Sequence, residues 1–111
     1  SVTAQFERMW EKRTLYNKLF NDHSRNSITE HIQAFDVKIS TETLKRYLGT
    51  QELSPALVYA IKFTSYGCLN MTIEWLRGEF VMSAADLAAC QLNAMPDILR
   101  RAYEDRLPRL S

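Results

Sequence analysis

Residues 27–49 read SITEHIQAFDVKISTETLKRYLG. Ser27-Ile28-Thr29-Glu30 is a capping box: the serine hydroxyl can accept a backbone N–H and the glutamate can reach back to the helix start. The helix opened there is expected to run to about Phe35 or Asp36, after which DVKI leads to a second start at Ser40. The second helix, Ser40 to Leu48, stops at Gly49, a residue suited to a left-handed C-terminal position. Leu44, Tyr47 and Leu48 form its apolar side. Thr41, Glu42, Lys45 and Arg46 form its polar side. Two short helices joined by a tight turn form a helix-turn-helix.

Outward from this stretch the chain continues to read as helices. Upstream, Phe6, Met9, Trp10, Tyr16, Leu19 and Phe20 fall near one face of a helix expected over about Ala4 to Asn21, with Thr3 as its cap. Downstream, Ser54-Pro55 is a helix start, with proline in the first turn. The helix it opens, ALVYAIKFTSY, is expected to end at Gly67 and to be buried, being apolar almost all round. Asn70 caps a further helix, MTIEWLR, closed by Gly78, with Ile73, Trp75 and Leu76 as core anchors. Ser83-Ala84-Ala85-Asp86 is another capping box. Pro96-Asp97 opens a last helix stopped by Pro108. The expectation is seven short helices in an all-α fold.

Composition agrees. The chain has 111 residues, 46% of them hydrophobic, and only three glycines and three prolines. So few turn formers disfavour a many-stranded sheet. The net charge is +1, which does not itself argue for phosphate contacts. The first fifty residues carry eight Lys/Arg against six Asp/Glu, a weak positive bias on the side of the helix pair. Cys68 and Cys90 sit apart from each other and from both histidines, so they read as buried reduced thiols and neither a metal site nor a disulfide is expected. No stretch reaches membrane-span length, no leader is read at the N-terminus, and a cytoplasmic location is expected. No nucleophile elbow, phosphate loop or convincing acid pair is present, so neither enzyme activity nor a cofactor is expected. His31 reads as solvent-facing, and Trp75 as core.

The helix pair directs the functional reading. A recognition helix needs apolar anchors inward and hydrogen-bonding groups outward toward base edges. Leu44 and Tyr47 fit the first role; Thr41, Glu42, Lys45 and Arg46 fit the second, with Ser40 and Thr43 close enough to help.

Three stretches, SITEHIQAFDVKISTETLKRYLG, LSPALVYAIKF and LNMTIEWLRGE, together make residues 27–79 resemble the lambda-repressor-like helix-turn-helix family of phage repressors, Cro-like proteins and some antitoxins. The sequence departs from that family at Lys38, where a turn glycine is usual, and at Gln33, where an apolar residue is usual; a gapped reading instead anchors the first helix with Phe35 and Val37. The resemblance implies a five-helix domain over residues 1–80 and double-stranded DNA as partner. It implies that Arg46 or Lys45 donates to guanine, Glu42 accepts from cytosine and Thr41 meets a thymine methyl or a phosphate. Asn26, Ser27, Thr50 and Gln51 would hold backbone phosphate. Residues 81–111 then form a C-terminal extension of two helices. Leu87, Met95, Ile98, Leu99 and Tyr103 are its expected contacts in a homodimer reading a palindromic site. The competing expectation is a helical module that binds a protein partner.

Overall fold

The structure is a computed structural model that describes residues 1–21 and 27–106. These residues form six helices and no strands, so the all-α expectation holds. The helices are α1 (Val2–Glu11), α2 (Arg13–Phe20), α3 (Ile28–Leu48), α4 (Pro55–Leu76), α5 (Ala84–Ala94) and α6 (Asp97–Arg106). The molecule measures 41 × 39 × 20 Å, its short dimension being about two helix diameters.

The helix starts follow the local chemistry. Ser27, Ser54 and Ser83 each accept a backbone N–H three residues on, from Glu30, Leu57 and Asp86. Pro55 stands in the first turn of α4, where its missing N–H removes no helical bond. Ser1, rather than Thr3, caps α1 through the N–H of Ala4. The stops at Gly49 and Gly78 are also as expected. Gly49 takes φ 66°, its N–H bonds to the Arg46 carbonyl, and the N–H of Thr50 bonds to the Lys45 carbonyl. This is a Schellman closure, which favours glycine because the left-handed backbone crowds a Cβ.

The interruptions differ from expectation in three places. The N-terminal helix is two helices, separated at Lys12, whose φ of −106° and ψ of 27° leave the helical region. The turn expected at residues 36–39 is absent, and α3 runs 21 residues without a break. Asp36-Val37-Lys38-Ile39 holds neither glycine nor proline, so nothing forces the ladder to open. Asp36 is also tied to α4 by the Ser65 hydroxyl, which donates to its carboxylate at 2.5 Å. The stop expected at Gly67 is absent as well, and α4 runs 22 residues to Leu76. An isolated glycine inside a helix costs only about 1 kcal/mol relative to alanine. That is a small sum against the packing on both sides of Gly67. The seven short helices are therefore six, two of them long.

α4 is the spine of two cores. Its N-terminal half contributes Ile61 to a cluster with Leu44 of α3 and Leu99 and Ala102 of α6. Its C-terminal half contributes Ile73, Trp75 and Leu76 to a cluster with Phe6, Phe20 and Leu87. Trp75 is core, as expected: it lies edge-on to Phe6 and 4.9 Å from the Trp10 ring. Its indole N–H donates to the Met82 carbonyl at 2.7 Å, which ties down the connection between α4 and α5. Asn17 of α2 donates to the Leu76 carbonyl at the end of α4. α5 and α6 thus share both cores with the residues before position 80.

Candidate functional site

The helix-turn-helix is not formed, because its two halves are one straight run of α3. Ser40 lies in the middle of that run and is buried, with 7% exposure. Its hydroxyl is 2.5 Å from the Tyr103 hydroxyl of α6. Leu44 is fully buried, as an anchor should be, while Tyr47 stays exposed. Thr41, Thr43 and Lys45 are half-buried; Glu42 and Arg46 are exposed. Lys45 and Arg46 occupy the last turn of α3, where a positive charge complements the helix dipole. Ser27 is buried at the N-cap of α3. The Thr50 hydroxyl donates to the Glu52 carbonyl and accepts from the Glu52 N–H, and Gln51 is exposed. Asn26 lies outside the described residues. The nine expected DNA contacts among the described residues are thus spread over a long helix and its two ends, and no turn sets a recognition helix apart.

The five residues expected at a dimer interface lie buried or half-buried within the single chain. Leu87 and Leu99 are each 2% exposed and belong to the chain's own cores. Ile98 packs beside Leu99 and Tyr103 reaches Ser40, while Met95 is half-buried. The apolar stripe of α6 turns inward because α3 offers Leu44 and Val37 to receive it.

A different site emerges between α4 and α5. A pocket of about 360 Å³ opens there. α4 supplies one wall through Phe63, Thr64, Gly67, Cys68 and Met71, and α5 faces it with Leu87, Cys90, Gln91 and Ala94. Phe80 and Met82 of the connection, with Pro96 beyond α5, complete the lining. No lining residue carries a charged side chain. Gly67 shapes the opening: a Cβ built there meets nothing within 4 Å.

Gln91 is a polar group of the pocket held by hydrogen bonds to α4. Its side-chain amide donates to the Thr72 hydroxyl at 2.9 Å and lies 3.4 Å from the Cys68 carbonyl. Thr72 itself donates to that carbonyl at 2.8 Å. A hydroxyl that already donates needs a donor opposite, so chemistry fixes the Gln91 NH2 toward α4. Its Oε1 is left as an acceptor. Cys68 and Cys90, read from the sequence as buried and far apart, line this one pocket. Cys68 is half-buried and Cys90 exposed. Burial, then the nearby Asp36 carboxylate, pushes the Cys68 thiol above the ordinary thiol range, so it stays protonated.

Helical spacing was the only signal for the pocket. Phe63, Gly67 and Met71 recur every fourth residue on α4, as do Leu87 and Gln91 on α5. Their convergence depends on a long-range pairing of helices.

A family model matches residues 1–95, which is α1 through α5, and its description is the C-terminal region of transcriptional regulators. The chain belongs to this family. The regulators concerned are of the TetR type, so the resemblance to the lambda-repressor-like family is corrected while the wider class, helical transcriptional regulators, stands. No curated protein and no solved structure matches the chain. Among the described residues no helix is long and apolar enough to cross a membrane.

Proposed function

We propose that this chain is the regulatory part of a DNA-binding transcriptional regulator, in which a small apolar molecule occupies the α4–α5 pocket. The pocket is the observation that carries the reading. Small-ligand sites are concave and mostly apolar, with a few placed polar groups, and run from about 300 to 1,000 Å³. This one joins two helices that both feed the larger core, so an occupant would set the distance between them. DNA reading then belongs to another part of the regulator, and Thr41, Glu42, Lys45 and Arg46 serve as a solvated helix end. Cytoplasmic action follows from a role on DNA.

A homodimer on a palindromic operator is part of the same proposal, with its interface moved. Tyr59 and Phe63 are 69% and 68% exposed and stack at 5.9 Å. With the exposed Tyr66, they form a stripe at helical spacing along α4, its middle residue Phe63 also lining the pocket. A second copy placing the same stripe against it would bury aromatic area on both sides, as a two-fold pairing requires.

The test is a titration of the 15N-labelled chain with naphthalene, followed by amide shifts. The expected shifts gather at residues 63–71 and 87–94 and vanish in Gly67→Phe, whose ring fills the pocket. Shifts that are scattered, or that persist in that variant, would remove the proposal.

A further inference from the structure

Resting on the pocket reading above, we propose the ligand's class: an uncharged, polarisable, aromatic-type molecule with one hydrogen-bond donor, which Gln91 Oε1 accepts.

Three observations carry this. The first is charge. The walls hold no lysine, arginine, aspartate, glutamate or histidine. An ionic ligand would lose water there with no counter-charge to replace it, a cost of several kcal/mol in general. A neutral ligand avoids that cost.

The second is the character of the walls. Phe63 and Phe80 offer ring faces or edges, and Met71, Met82 and both cysteines offer sulfur. Rings favour ring partners in offset or edge-on geometry, and thioether sulfur packs well beside aromatic rings. A volume of about 360 Å³ accommodates a two- or three-ring molecule.

The third is the hydrogen-bond directionality. The Thr72 hydroxyl holds the Gln91 NH2 against α4. No described residue donates to Gln91 Oε1, and Gln91 is part of the lining. Beside the Thr64 hydroxyl, which can play either part, Gln91 therefore offers the lining an acceptor, and that acceptor favours a donor on the ligand. Leaving such an acceptor facing an apolar occupant would forgo its bond to water with nothing in return.

The experiment compares three probes of one skeleton by calorimetry: 2-naphthol, naphthalene and 2-naphthalenesulfonate. The expected order is 2-naphthol about three- to tenfold tighter than naphthalene, as a net hydrogen bond allows, and the sulfonate at least tenfold weaker than 2-naphthol. Gln91→Met, close in volume, should erase the advantage of 2-naphthol over naphthalene. Equal binding of sulfonate and naphthol, or a naphthol preference that survives Gln91→Met, would overturn the proposed class. If Gly67→Phe blocks all probes, the pocket reading still stands in that case. Binding of no probe, or binding indifferent to Gly67→Phe, would overturn both.

Discussion

The Ser40 hydroxyl lies 2.5 Å from the Tyr103 hydroxyl, across the contact between α3 and α6. This pair sits on the residue expected to begin a recognition helix, and it places that residue inside the molecule. Removing either hydroxyl loses this contact, which is worth about 0.5–1.5 kcal/mol. Ser40→Ala and Tyr103→Phe should each lower stability to urea within that range. The double variant should cost less than the two added together, since each single variant already removes the same contact. Additive losses would mean that the two groups do not interact.

Gly67 gives the opposite sign. It lies inside α4 with a helical backbone, and a Cβ there meets no atom within 4 Å. Gly67→Ala should stabilise the chain by about 0.5–1 kcal/mol through helix propensity and a less free unfolded state. Because one methyl leaves most of the pocket open, naphthalene binding should persist. A loss of stability on chemical denaturation would show that the site is tighter than it stands here.

Leu87 and the α4 stripe separate core from interface. Leu87→Ala should cost about 2–5 kcal/mol by leaving a cavity in the larger core. It should not change the association constant in sedimentation, provided the variant remains folded. Tyr59→Glu with Phe63→Glu should do the reverse, giving a folded monomer. A dimer that survives those two charges would place the interface elsewhere.

Cys68 makes stability depend on alkaline pH. Its folded-state ionisation is raised by burial and then by Asp36, so the folded chain holds the proton after the unfolded chain has begun to lose it. Stability should therefore fall as pH climbs above the ordinary thiol range, and level off once the folded thiol ionises too. Cys68→Ala should remove that slope from urea titrations between about pH 8 and 10. An unchanged slope would assign it to other groups.

The features legible in the sequence were local ones. The caps at Ser27, Ser54 and Ser83 and the stops at Gly49 and Gly78 each depend on one residue's chemistry and its near neighbours. What failed were the breaks inside long helices. Asp36 to Ile39 and Gly67 to Asn70 look like interruptions when only composition is considered. In the fold both ladders run on, since neither stretch contains a residue that forces a break, and Ser65 ties Asp36 to α4. The stripe of α6 was rightly seen as apolar, but whether it faced Leu44 or a second copy rested on tertiary packing. The pocket was hidden for the same reason: Cys68 and Cys90 line one cavity only because the fold sets α4 and α5 on either side of it.

Amide hydrogen exchange at Val37, Lys38, Ile39 and Ser40 tests the single α3 helix most directly. Protection there equal to that of Leu44 is the predicted result, because all lie within one hydrogen-bonded ladder. Fast exchange confined to those four amides would restore a turn at that point, and with it a separate helix beginning at Ser40.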